Sequence, residues 1–487
     1  MAPPTRPTVA VLGGGIAGLA AAWELSTAGG RTRVIVFESD GRLGGKLRTE
    51  PFGGRDVDLG PDAFVARRPE ALALCGELGL TPELVAPGVR RAYVWARGRL
   101  RPLPAGLALG VPTRLGPLAR SGICSPAGLV RPALDLLGPG RRRDPGSDTD
   151  RAVGEVVRRR LGREVATRLA GPLIGGIHAG TVETTSAAAV FPALLEADRH
   201  PGSLMRALRT SMPHPPAGAA VDGEAPVFLS LRGGIGRLAD ELTHGLERRG
   251  IELRRGARVH ALGRVAGDDG RRWVIRTAGD EVEVDGVVVA LPAPAAAGLL
   301  RPHDGALAGL LDEVAYASVA LVTLRFADDA VSRPLDGSGF LVPRSEGAGP
   351  DPLVTACTWL TSKWPELGRR GDVLLRASVG RLGDDRFESL DDDELVARSV
   401  GELAVMMGVR GSPLDAVVTR WPQAFPQYAV GHPSRVAAVE AAAGRLPAVA
   451  LAGAVLHGVG IPACIGSGRR AAGAVLVGMD AQPGGAR

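Results

Sequence analysis

A stretch near the N-terminus carries the clearest chemical pattern in the chain. Val9-Ala-Val-Leu-Gly13-Gly14-Gly15-Ile16-Ala17-Gly18 has the GxGxxG spacing, behind an apolar run of strand length and ahead of a segment with helical composition. In that setting Gly13 permits a tight turn, Gly15 lets the backbone approach a pyrophosphate, and Gly18 lets the helix pack on the strand. The helix start offers unpaired N–H groups and a partial positive charge to phosphates. Glu38 stands 20 residues beyond Gly18, at the end of the next apolar run, where a carboxylate accepts hydrogen bonds from a ribose. Together these residues predict a bound dinucleotide.

Arg42-Leu-Gly44-Gly45 follows Glu38 directly. An R-x-G-G just after the acidic residue is typical of proteins holding FAD in an extended form, and is not a usual NAD feature. The flavin ring needs a second wall. Leu451-Ala-Gly453-Ala-Val-Leu-His457-Gly458-Val-Gly460-Ile-Pro462 leaves a strand, turns on glycines and enters a helix near Ala463, with proline suited to a first helical turn. Such a helix start favours negative charge on a reduced flavin. The Leu231–Leu238 turn and helix, followed by Gly256 to Val259, predict a further βαβ element, with Val259 offering a main-chain contact to adenine. No Ser-His-Asp arrangement or paired acid and base is visible. His178 and His457 are the histidines placed to move a proton, and Cys464 reads as a small buried side chain.

Short β-rich runs at Val9–Leu12, Val34–Phe37, Val287–Leu291 and Val449–Ala454 lack polar alternation, which suits parallel strands buried on both faces. The 487 residues are 45% hydrophobic and 23% charged, a globular balance. With aromatics at 4%, there are few stacking platforms for nucleic acid. Four cysteines lie far apart at Cys75, Cys124, Cys357 and Cys464, so no zinc site is expected and a reducing, cytoplasmic setting is. Leu446 to Gly468 carries no Asp, Glu, Lys or Arg over a membrane-spanning length, yet its prolines and glycines predict a strand, turn and helix start. Of the 58 basic residues only Lys46 and Lys363 are lysines. The net charge of +6 is concentrated: residues 86–216 hold 20 Arg against 9 acids. That segment suggests an anionic partner, either a polycarboxylate substrate, an acidic protein or a membrane surface. Gly138–Asp150, with Arg141–Arg143, and Ser211–Pro226 read as loops.

The chain resembles the FAD-dependent porphyrinogen oxidases, within the wider amine-oxidase-like flavoproteins. The matching stretches are GGGIAGLAAAWEL with Glu38, DLGPDAFVARRPE from Asp58, GPLIGGIHAG from Gly171, GSGFLVPRSE from Gly337, TACTWLTSKWPE from Thr355 with RWPQAFPQYAVGH from Arg420, and AGAVLHGVGIPACIGSG from Ala452. They cover nearly the whole chain. The resemblance implies an α/β fold: a Rossmann-type FAD-binding domain, a mixed-sheet substrate domain and a helical insertion. The expected segments are 1–85, 217–300 and 416–487 for the FAD domain, 86–216 for the basic helical insertion with part of the substrate domain, and 301–415 for the rest of the substrate domain.

The resemblance also implies non-covalent FAD contacts at Gly13, Gly14, Gly15, Ile16, Ala17, Gly18, Glu38, Ser39, Arg42, Gly45, Gly60, Pro61, Asp62, Ala63, Val259, Trp421, Val459, Gly460 and Ile461. Gly176 and His178 are expected over the flavin, and Leu341 against the tetrapyrrole. Arg67, Arg68 and Lys363 are candidates for substrate propionates, since arginine matches carboxylates bidentately. The GPDA form is similar to the Gram-positive branch, which oxidises coproporphyrinogen III to coproporphyrin III with oxygen and releases hydrogen peroxide, in heme biosynthesis. Alternatives are protoporphyrinogen IX oxidation, a flavin amine oxidase or desaturase, and a porphyrin carrier without turnover. Departures fall on the substrate side: His178 replaces an aromatic, Leu456-His457 replaces an aromatic and an acid, and an arginine expected after Leu107 is Ala108. A ferrochelatase-type partner or peripheral membrane contact is a further expectation for the basic segment.

Overall fold

The computed structural model describes residues 6–27, 32–137, 150–211, 226–265, 272–344, 352–368 and 371–481. The loops read at 138–149, with Arg141–Arg143, and at 212–225 lie outside the described residues. The chain forms two compact units, one from 1–85, 227–315 and 434–487, the other from 86–226 and 316–433.

The first unit is built on a parallel sheet with strand order Glu252–Arg254, Arg33–Phe37, Thr8–Leu12, Gly286–Val289, Val449–Leu451. The register runs from Val9 opposite Gly286 and Val34 to Leu12 opposite Val289 and Phe37. Val9, Val11, Ile35, Val36, Val287 and Val288 are fully buried, which explains the unbroken apolar runs, because both faces of a parallel sheet are covered. Helices Ile16–Thr27 and Ile461–Asp480 cover it together. A Cβ on Gly468 would fall 2.0 Å from the Ala17 carbonyl oxygen, so these helix backbones touch. The uncharged stretch 446–468 resolves into strand, turn and helix, and no helix among the described residues is long and apolar enough to cross a membrane.

One expectation changes here. Helix Gly236–Arg248 does lead into the edge strand Glu252–Arg254, but the preceding strand Phe228–Leu231 is not in that sheet. It pairs antiparallel with Phe64–Val65 and Leu84–Val85, so the unit is not a βαβ crossover. The strand is only four residues long and half-exposed, and its ladder partners settle its place.

The second unit carries a mixed seven-stranded sheet, ordered Asp415–Pro426, Tyr316–Ala327, Asp372–Val379, Val354–Trp359, Gly339–Leu341, Tyr93–Ala96, Arg99–Pro102. Helices Val130–Leu137, Val153–Leu161, Gly171–His178, Pro192–Arg199 and Leu204–Ser211 share a separate apolar core in this unit. The first division of the units falls at 85/86. The later divisions fall at 226/227, 315/316 and 433/434 in place of 216/217, 300/301 and 415/416. For the last of these the reason is a ladder: Tyr316 faces Pro426 and Arg325 faces Asp415, so 12-residue strands zip along nearly their whole length and keep 415–426 in the second unit.

Candidate active site

The glycine cradle of the first unit is close-packed everywhere but at one point. Gly13 sits at φ +104, and a Cβ there would lie 2.6 Å from the Ala290 oxygen. On Gly14 it would lie 2.3 Å from Leu43, and on Gly18 1.9 Å from the Gly13 oxygen. A Cβ on Gly15 would meet nothing within 4 Å. The protein therefore requires glycine at 13, 14 and 18 for its own packing, while the space at Gly15 faces outward at the start of helix Ile16–Thr27, where a pyrophosphate is best stabilised. Glu38 frames the same turn. Its Oε2 accepts the Gly14 N–H at 2.7 Å and its Oε1 accepts the Asp40 N–H at 2.9 Å and the Ser39 hydroxyl at 3.1 Å. The Ala257 N–H donates to the Glu38 carbonyl at 2.7 Å, bringing the segment that leads to Val259 alongside.

The R-x-G-G loop closes over this turn through the Gly44 N–H to the Gly14 carbonyl, at 2.8 Å. Arg42 donates Nη1 to the Gly45 oxygen and Nη2 to the Leu47 oxygen, both at 2.6 Å. Its guanidinium therefore staples its own loop. Desolvation, with Arg48 adding repulsion, lowers its pKa. Lys46 was not singled out from the sequence, although its rarity was a signal. Its side chain reaches solvent, yet desolvation lowers its pKa while the Cys464 thiol raises it. Lys46 is thus a cation near Cys464, in the first turn of helix Ile461–Asp480.

That helix start is held from below. Gly458 sits at φ +144, the Cys464 N–H donates to the Gly460 carbonyl at 3.0 Å, and the Gly453 N–H donates to Ser467 Oγ at 3.0 Å. Cys464 is buried, its thiol pushed up to about 11 by desolvation, so it stays protonated and packs as a small apolar group. All four cysteines are free and buried, and the described residues hold no His/Cys/Asp/Glu group able to bind a metal. His457 is not in the turn's interior. It is exposed, with Nε2 2.6 Å from Glu440 Oε1.

In the second unit the last turn of helix Gly171–His178 presents Gly176 and Ile177 to solvent, Ile177 at 44% exposure. A Cβ on Gly176 would lie 3.1 Å from Leu341 Cδ2, so the expected pair Gly176 and Leu341 is brought together. His178 turns the other way. Its ring is buried 5.7 Å from the Tyr428 ring, which stacks at 3.9 Å on His432. Its Nδ1 has no hydrogen-bond partner. Burial, with His432 adding repulsion, pushes its pKa down to about 4, so the imidazole is neutral near pH 7. Gln427 Nε2 donates to the His178 carbonyl at 2.9 Å, and Asp150 ties the neighbouring segments, accepting from Ser186 Oγ and the Gly431 N–H at 2.7 Å and from the Ala188 N–H at 3.1 Å.

A family model for flavin containing amine oxidoreductases matches residues 16–476. The chain belongs to the flavin-containing amine oxidoreductases. Within that family it is 38% identical to the coproporphyrinogen III oxidase of Mycobacterium tuberculosis, over 98% of this chain and 99% of that one. It is 32% identical to the coproporphyrinogen III oxidase of Bacillus subtilis, over 95% and 96%. A solved structure of a provisional protoporphyrinogen oxidase from Exiguobacterium superposes with a TM-score of 0.85 at 29% identity, covering 97% of this chain and 99% of that one. The cofactor of this amine oxidoreductase is FAD, and the cradle fits it: the open space at Gly15 and the Glu38 carboxylate at the same turn are what a dinucleotide needs.

The remaining expected residues divide between the units. Gly60, Pro61, Asp62, Ala63, Val459, Gly460 and Ile461 lie in the first, Trp421 in the second. Of the substrate candidates, Arg67 is exposed, Arg68 pairs with Glu70 at 3.2 Å, and both are in the first unit. Lys363 is in the second, past the Trp359 end of its strand, while Leu341 pairs with Ala356 toward the other end.

Proposed function

We propose that this amine oxidoreductase oxidises coproporphyrinogen III to coproporphyrin III, with oxygen reduced to hydrogen peroxide, in heme biosynthesis. The observation that carries the reading is the end-to-end likeness to coproporphyrinogen III oxidases laid over an intact FAD cradle. Bound FAD supplies the acceptor for the electron pairs removed from the macrocycle. Gly13 to Gly18, Glu38 and the stapled R-x-G-G loop hold the nucleotide half, and Lys46 with the start of helix Ile461–Asp480 favours negative charge there. Gly176, Ile177 and Leu341 form an apolar wall for the tetrapyrrole, with Gly176 letting Leu341 pack close against the helix turn. His178, neutral and turned inward, positions that wall and moves no proton itself. Purified enzyme given coproporphyrinogen III and protoporphyrinogen IX separately tests this. A rise in porphyrin fluorescence with the first, and reduction of the flavin absorption when oxygen is withheld, is expected. A clear preference for protoporphyrinogen would overturn the substrate assignment.

The basic segment supports contact with an anionic membrane surface, ahead of an iron-inserting partner protein. Helix Val130–Leu137 exposes Val130 at 53%, Leu134 at 53% and Leu137 at 81%. These positions share one helix face, flanked by exposed Arg131. An apolar stripe on a positively charged segment matches an anionic bilayer. Co-sedimentation with phosphatidylglycerol vesicles at low salt is expected, and its absence removes this reading.

A further inference from the structure

Arg344 stands at the edge of the wall that Gly176, Ile177 and Leu341 form. The strand Gly339–Leu341 ends there and the chain runs on through Val342 and Pro343. Val342 is 3% exposed and its N–H donates to the Thr355 carbonyl at 2.9 Å, so the segment is anchored just before the arginine. Arg344 Nη2 donates to the Leu382 carbonyl at 2.7 Å. The Leu382 N–H donates to the Ala179 carbonyl at 2.7 Å, and the Ala179 N–H closes the helical turn on the Gly175 carbonyl at 2.7 Å. Residues 341–344 therefore meet the same turn twice, through Leu341 at Gly176 and through Arg344 by way of Leu382 at Ala179.

A guanidinium carries five N–H donors. Arg344 is exposed, and no carboxylate among the described residues forms an ion pair with it. Other arginines of the second unit differ in this respect: Arg386 binds Asp384 at 2.7 Å and Arg420 binds Asp392 at 2.8 Å. One nitrogen of Arg344 is fixed to the main chain, which holds the planar fork and lowers the entropy lost on binding. Beside it lies an apolar surface with an exposed isoleucine. An anchored cation at the rim of an apolar wall fits a ligand with a flat apolar body and a carboxylate arm.

We propose that Arg344 binds a propionate of the tetrapyrrole. The proposal rests on the function given above and adds a specific carboxylate contact to it. The test compares the flavin-loaded parent with Arg344→Gln and Arg344→Lys, all checked for equal flavin absorption. Binding of coproporphyrin III and of its tetramethyl ester is followed by porphyrin fluorescence in the same detergent buffer. Arg344→Gln is expected to raise the Kd for the acid about five- to tenfold, the loss of one charge-assisted contact, and to change the Kd for the ester less than twofold. Arg344→Lys, which keeps the charge and loses the fork, is expected in between. An unchanged Kd for the acid in Arg344→Gln, with parent and variant both turning over coproporphyrinogen, overturns the role of Arg344 alone. A parent that holds FAD yet binds neither porphyrin overturns this proposal together with the function it rests on.

Discussion

Replacing His178 with glutamine changes how the protein responds to acid. In the folded chain His178 is 7% exposed, beside Tyr428, with His432 beyond it and the Gln427 amide on its carbonyl, and its pKa is pushed from 6.5 down to about 4. Folding therefore favours the neutral ring, while the unfolded chain takes up a proton as pH falls below 6.5. The stability associated with the neutral ring is complete above that value and is lost as pH drops toward about 4. Each pKa unit corresponds to roughly 1.4 kcal/mol, so the whole loss is about 3 kcal/mol, with a slope near 1.2 kcal/mol per pH unit around pH 5. Glutamine does not titrate, so this slope disappears from the variant even if its stability at neutral pH is lower. Urea unfolding followed by tryptophan fluorescence, at several values between about pH 7 and about pH 5, measures it. A variant whose midpoint falls with acid as steeply as that of the parent would refute the reasoning.

The cradle makes a paired prediction. Gly15→Ala is expected to fold normally and to lose FAD affinity by tenfold or more, because its methyl group enters space only the nucleotide fills, whereas Gly18→Ala is expected to unfold, its Cβ lying 1.9 Å from the Gly13 oxygen. Circular dichroism and flavin absorption of the purified variants separate the two, and full flavin occupancy in Gly15→Ala would sink the assignment of that space. Asp150→Ala removes the acceptor of three hydrogen bonds, two of them from main-chain N–H groups. A loss of about 3 kcal/mol is expected, read as a lower urea midpoint, and an unchanged midpoint contradicts it.

What could be read from the sequence was local. The GxGxxG turn, Glu38 and the apolar runs of the parallel sheet are each written within a few neighbouring residues, since turn sterics and burial on both faces constrain them there. The stretches shared with porphyrinogen oxidases likewise named the cofactor, and they singled out Gly176 and Leu341 separately, without the contact between them. Tertiary contacts settled the rest. The Asp415–Pro426 ladder moved Trp421 into the second unit, and the Gly431 N–H reaches Asp150 from 281 positions away in the chain. The inward turn of His178 depends on Tyr428, and the place of Arg344 depends on Leu382. Which way a side chain points, and whether a charge finds a partner, is set by groups distant in sequence, and no local pattern of residues encodes them.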